Sequence, residues 1–243
     1  MKRLIVMLSF VLAFALPLQG SAISFDNNFS SNITTTSILS RFSELRNKVS
    51  PSALNFALSG YYALKSEGKL VRDGILTIID FNKPSFDDRL FVIDVNEGRL
   101  LYSGLVAHGS GSGEIFARSF SNHPGSHQSS LGFFTTGDTY DGKHGYSLRL
   151  LGMEPGINDK AESRSIVIHG ANYVSYDYIR RTGRLGRSQG CPAVSFENFQ
   201  HIIDLIKGGS CLFIFKSDRD YADKSSIIHS DLARLVSVPD PFS

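Results

Sequence analysis

"IVIHGAN", residues 166–172, and "RSQGCPAV", residues 187–194, set a histidine and one of only two cysteines 22 positions apart, His169 to Cys191. Ile166-Val167-Ile168 is a short apolar run rich in β-branched residues, which predicts a buried strand. His169 stands at its end, and Gly170 lets the chain turn. Gly190, with no Cβ, allows a tight approach of the backbone just before Cys191, and Pro192 directs the exit. Three readings of Cys191 stay open on these residues: half of a disulfide with Cys211, a buried small hydrophobe, or a nucleophile with His169 as its base. A thiol attacks carbonyls as the thiolate. It therefore needs a base nearby, a group to hold that base, and N–H donors where the attacked oxygen turns negative.

The surrounding chain reads as β-rich. ILTIIDF (75–81), LFVIDV (90–95) and LLYSGLVAHG (100–109) are short strand-like runs separated by turns such as Asn96-Glu97-Gly98, the pattern of a meander. Residues 109–145 are dense in Gly, Ser and His, too polar for a core and too long for a plain connector, which marks a functional loop. YSLRLLGM (146–153) and RSIVIHG (164–170) return to strand character. Ser195 is the predicted cap of a helix whose apolar face is Phe196, Phe199, Ile202, Ile203 and Ile206, closed by Gly208-Gly209. SCLFIF (210–215) reads as a buried strand. Upstream, Ile38, Leu39, Phe42, Leu45 and Val49 keep helical spacing. Ser50-Pro51 opens a second helix with the stripe Ala53, Leu54, Ala57, Tyr61 and Leu64. Residues 37–67 thus read as two helices docked on the main domain.

The first residues carry a compartment signal. Lys2 and Arg3 precede an apolar run, Leu4 to Leu16. Pro17 stops the run, and Gly20-Ser21-Ala22 supplies small residues for a cut after about Ala22. That is the layout of a secretory signal peptide, and the run is shorter than the ~20 residues that cross a bilayer. No later stretch is apolar for long enough, so no stable membrane insertion is expected after cleavage. The formal charge of the whole chain is +2, and Lys2 and Arg3 supply the excess. The remainder is formally neutral with no basic run, which argues against a nucleic-acid partner. The expected organisation is 1–22 signal peptide, 23–72 polar leader and helical segment, 73–218 catalytic domain and 219–243 tail. Two sequons, at Asn28 and Asn32, fall in the leader.

Taken together, His169-Gly170, Ser188, Gly190 and Cys191 resemble the signature of the L,D-transpeptidase catalytic domain. These are the YkuD-type peptidoglycan cross-linking enzymes, and the resemblance is to their murein L,D-transpeptidase catalytic domain family. It extends over about residues 73–215. It implies a mainly β (α+β) fold, an antiparallel sandwich- or barrel-like domain with flanking helices and the site at strand ends. It also implies Cys191 as nucleophile, His169 as base, the Gly170 carbonyl holding the imidazole, and the N–H groups of Gly190 and Cys191 as oxyanion donors. Ser188, Arg187, Tyr146 and Gln189 are the expected substrate-contacting residues. Many members carry His where Gln189 stands and Arg where Ala193 stands, so the work of that Arg falls to another group or is not done; Arg187, Arg184 and Arg181 are the candidates, or are solvated loop charges. The loop with Tyr173, Tyr176 and Tyr178 is either a lid or packing.

The implied chemistry needs neither metal nor organic cofactor. The partners are peptidoglycan stem peptides, donor and acceptor, and the place is the periplasm or cell envelope. Transfer to an amine gives a 3→3 cross-link, and transfer to water gives L,D-carboxypeptidase activity. The rivals are a disulfide, a zinc site and a non-catalytic wall-binding module. The zinc site would use His123, His127, His144 and His169, but Pro124-Gly125 denies it a regular helix.

Overall fold

A computed structural model of the chain describes Phe42, Leu45 and residues 47–229. The expected signal peptide, the polar leader with its sequons, Ile38 and Leu39 of the first helical stripe and the tail beyond residue 229 lie outside the described residues.

Helix α1 (Pro51–Ser66) starts as its sequence predicts, with Pro51 in the first turn and the Ser50 hydroxyl accepting the Ala53 N–H. Both features satisfy a helix end at little entropic cost. Its stripe, Ala53, Leu54, Ala57, Leu58, Tyr61 and Leu64, is buried in one continuous core with the strands. The buried Tyr61 hydroxyl accepts the Gly74 N–H at 2.7 Å. After α1 come β1 (Ile75–Asp80), β2 (Leu90–Asp94) and β3 (Arg99–Gly104), the expected antiparallel meander. Leu105 alone separates β3 from β4 (Val106–Ala107).

The polar stretch 109–145 is not loop throughout. Strand β5 (Gly132–Gly142) runs inside it and pairs with β6 (Gly145–Gly152). The strand was hidden because its outer half, Gly137 to Gly142, is polar and solvent-facing, while Phe133 and Phe134 at its inner end are fully buried. Strand β7 (Val167–Ala171), helix α2 (Tyr176–Thr182) and β8 (Ala193–Ser195) follow, and β7 and β8 are parallel neighbours. Parallel strands need a crossover of a dozen or more residues, usually through a helix. The long spacer between the two motifs is that crossover. Helix α3 (Phe199–Ile206) begins later than expected: Ser195 ends β8, its hydroxyl accepting the Glu197 N–H, and Asn198 is the first flanking residue. Strand β9 (Cys211–Phe215) and helix α4 (Arg219–Lys224) complete the order. Tyr221, Ile227 and Ile228 join the core, so part of the expected tail is built into the domain.

The nine strands form one sheet in the order β3-β2-β1-β9-β5-β6-β7-β8-β4. It is mixed rather than wholly antiparallel, with parallel pairings at β1–β9 and β7–β8. The first and last strands of that order, β3 and β4, are joined through one residue, so the sheet curls and brings its ends together. No helix among the described residues is long and apolar enough to cross a membrane.

Candidate active site

Strand β7 positions His169, and the register of the sheet fixes its surroundings. His169 lies opposite Ser147 on β6 and Ala193 on β8. Side chains alternate along a strand, so His169, Ser147 and Ala193 belong to one face; Cys191 lies two residues before Ala193, in the turn that leads into β8. Gly170 faces the other way, where a Cβ would meet Phe199 of α3 at 2.7 Å. The His-Gly pair therefore serves two faces: the histidine points to the site, and the glycine admits the helix behind it.

His169 is nearly buried. Its Nδ1 lies 3.1 Å from the Gly170 carbonyl. A carbonyl only accepts, so Nδ1 carries the proton and Nε2 presents a lone pair. The His144 ring, on the β5–β6 turn, stacks on it with centroids 4.4 Å apart. Burial lowers the His169 pKa, the Gly170 carbonyl partly offsets this, and His144 lowers it further. The imidazole is thus neutral at neutral pH.

Cys191 is a half-exposed free thiol; Cys211, fully buried in β9, is also free, so there is no disulfide between them. The Cys191 Sγ donates to the Ser165 carbonyl at 3.6 Å. Burial raises its pKa, and the Val167 N–H and the Arg164 charge work against that rise. Sulfur and imidazole share no hydrogen bond among the described residues; at neutral pH the one is a thiol and the other a neutral base. Ser165 sits at φ +57°, a left-handed backbone uncommon for a residue with a Cβ; this conformation belongs to the very residue whose carbonyl meets the sulfur.

The Ser-x-Gly-Cys turn is built on backbone bonds. Ser188 N–H donates to the His108 carbonyl and its carbonyl accepts from Ser110 N–H. Its hydroxyl donates to the Cys191 carbonyl at 2.6 Å and accepts the Gly190 N–H at 3.0 Å. Gly190 has φ +124°, and a Cβ there would crowd the Gln128 carbonyl at 2.9 Å and Ile166 at 3.2 Å. Ser188 thus props the turn. The Gly190 N–H, expected as an oxyanion donor, is already held by Ser188. The Cys191 N–H has no protein acceptor among the described residues.

The other expected contacts divide. Gln189 is exposed beside the cysteine. Arg187 and Arg184 both grip Glu114, at 2.6 and 3.0 Å, and Arg181 donates to the Asp177 carbonyl of its own helix. Glu114 neutralises the first two, and Arg181 is an exposed residue of α2. Tyr146 is corrected: it neighbours Ser147, so strand alternation turns it to the α3 face, where its hydroxyl bonds Asp204 at 2.9 Å and Lys207 at 3.3 Å. Tyr173, from the crossover, is partly buried against Gly186. Its hydroxyl is pushed up to about 12 by burial and by the Cys191 charge.

The residue that sequence reasoning missed is Arg164. It stands just before β7, and its guanidinium reaches into residues 121–130, which carry no strand. Among the described residues no cluster of three or more His, Cys, Asp or Glu side chains is placed to hold a metal.

Residues 45–215 match the model of the L,D-transpeptidase catalytic domain. Similar solved structures include an L,D-transpeptidase from Mycobacterium smegmatis, 13% identical, covering 59% of each chain at a TM-score of 0.36. They also include one from Stackebrandtia nassauensis, 12% identical, covering 68% of each chain at 0.36. A third is the helical cell shape determining protein Pgp2 from Campylobacter jejuni, 12% identical, covering 68% of this chain and 57% of that one at 0.40. The chain spans about three fifths of the M. smegmatis protein. No curated protein matches the sequence. The family model covers well over half of the residues, and the chain belongs to the L,D-transpeptidase catalytic domain family.

Proposed function

We propose that this is an exported cysteine L,D-transpeptidase that acts on peptidoglycan stem peptides through a thioester on Cys191. The observation that carries the reading is a Gly170-held imidazole on β7 with a free thiol in the turn that leads into the neighbouring strand β8. His169 Nε2 takes the Cys191 proton as the sulfur attacks the carbonyl of the L,D bond after the third stem residue. The Cys191 N–H is the backbone donor available to the developing oxyanion. The tetrahedral adduct expels the terminal D-Ala, whose amine takes the proton from His169. The amine of a second stem then attacks the thioester and loses its proton to His169. The sulfur leaves as a thiol, and a 3→3 cross-link remains. Water in place of the amine releases a tripeptide.

The test is mass spectrometry of muropeptides after incubation with the protein and with Cys191→Ala. Cross-linked dimers from the unaltered protein and none from the variant are expected, with a fall of at least about 10³-fold when the nucleophile is removed. Trimmed tripeptides alone would replace transfer by hydrolysis. Tetrapeptides left intact by the unaltered protein, or equal turnover by the variant, would overturn the reading.

A further inference from the structure

The cation expected beside the cysteine is absent at Ala193, and Arg187 and Arg184 of the crossover are paired with Glu114. Arg164 lies against the turn that carries the cysteine. A Cβ on Gly190, the residue before Cys191, would lie 3.5 Å from Arg164 Nη2. The residue after Arg164 is Ser165, whose carbonyl meets the sulfur. The side chain and the next residue of Arg164 thus flank the Gly190-Cys191 turn.

Its partners are all uncharged. Nη1 donates to the Ser121 carbonyl and the Ser130 hydroxyl, both at 2.6 Å. Nη2 donates to the Gln128 carbonyl at 2.7 Å and the Ser126 hydroxyl at 3.4 Å. Four of the five donor positions of the fork are taken by one loop, which holds the group in place but does nothing to neutralise it. A partly desolvated guanidinium without a carboxylate is costly unless another negative charge comes near. The thiolate of Cys191 is the anion that the site itself generates. Carbonyl and hydroxyl dipoles fix where the charge sits, and its field falls on the sulfur.

We propose that Arg164 is the positioning residue that stabilises the Cys191 thiolate, held in place by the serine-rich loop 121–130. The proposal rests on Cys191 being the nucleophile. Arg164 is not expected to touch substrate; it acts through the sulfur. The titratable groups around that sulfur are Arg164 before β7, His169 on β7 with His144 stacked behind it, and Tyr173 after β7. Arg164 is the permanent cation among them. The direction agrees with the opposition of Arg164 to the burial-driven rise of the Cys191 pKa; burial in turn lowers the Arg164 pKa, and the Cys191 charge works against that fall.

The experiment measures the rate of alkylation of Cys191 by iodoacetamide against pH, read by mass spectrometry on the full chain. It compares the unaltered protein, Arg164→Lys and Arg164→Met, with near-ultraviolet circular dichroism as the check of folding. Cys211 is fully buried and stays unlabelled in folded protein. The expected result is a midpoint for Arg164→Met about one pH unit higher, a tenfold lower thiolate fraction at a given pH, with Arg164→Lys lying nearer the unaltered protein. Superimposable profiles for folded Arg164→Met and unaltered protein would overturn the proposal. So would Arg164→Lys shifting as far as Arg164→Met, which assigns the effect to the fork and not to the charge. Should Arg164→Met not fold, Arg164→Gln takes its place under the same criteria. Alkylation needs no peptidoglycan, so this outcome is separable from the muropeptide test.

Discussion

At the scale of the residue, the site works by opposing shifts. Burial holds the thiol protonated and the imidazole neutral, raising the Cys191 pKa and lowering that of His169. What makes the pair usable is the orientation of the ring. The Gly170 carbonyl accepts a hydrogen bond from Nδ1–H, so the free lone pair lies on the other nitrogen. His144, exposed on its turn, adds a second effect: a neighbouring imidazole disfavours the charged form of His169. Turnover is lost on acidification when His169 takes a proton and can no longer act as base. With a folded pKa below the ordinary ~6.5 of histidine, the acid limb of the pH–rate profile lies below that value. Replacing His144 by alanine removes the repulsion and moves the limb to higher pH. The measurement is turnover against pH for both proteins, and a limb that stays put or moves down would refute the role of His144.

At the scale of the element, the fold places both motifs with one device, the β7–α2–β8 crossover. It returns the chain to the strand beside His169 in parallel register, with Cys191 two residues before the Ala193 that pairs with His169. Behind the sheet, α1 is seated through Gly60. A Cβ there would fall inside the ring of Phe133, which is fully buried and stacked on Phe213 at 4.2 Å. Alanine is the better helix former by about 1 kcal/mol, yet overpacking a core costs about 1–3 kcal/mol, and a ring already held by Phe213 cannot swing aside. Gly60→Ala is therefore expected to lower Tm, and adding Phe133→Leu to recover part of that loss, a non-additivity that a double-mutant cycle measures. Additive losses would show that the helix does not rest on that ring. The same elements show what the sequence makes legible. His-Gly after three aliphatic residues and Ser-x-Gly-Cys are local patterns, and the strand end and turn they predict are present. Tyr146 was misjudged because one residue of strand parity separates the site face from the α3 face. Strand β5 was hidden by its polar outer half. Arg164 carries no local mark at all: its surroundings come from a loop more than thirty residues upstream.

At the scale of the whole molecule, the described chain is tied to the core of the sheet near both of its ends. Helix α1 enters the core from the N-terminal side, and Tyr221, Ile227 and Ile228 enter it after β9. The polar centre of that second attachment is Glu154, almost fully buried. It accepts the Phe133 N–H at 2.7 Å, the Tyr221 hydroxyl at 3.2 Å and the Ser225 hydroxyl. Those donors favour the carboxylate, but desolvation outweighs them and its pKa is raised. A carboxyl with a raised folded pKa keeps a proton that the unfolded chain has released. Its contribution is fully present below the ordinary ~4.3 of glutamate. It is lost progressively as pH rises, until the folded carboxyl ionises as well. Glu154→Gln keeps an acceptor for Phe133 and cannot ionise, and the two hydroxyls can turn to suit the amide. Thermal melts from pH 4 to 8 should therefore show Tm of the unaltered protein falling, relative to Glu154→Gln, as pH climbs past the ordinary glutamate value. All other carboxylates are common to both proteins, so the difference isolates this one. A constant gap across the range would mean that Glu154 titrates alike in both states. The C-terminal attachment would then rest on its hydrogen bonds and apolar side chains alone.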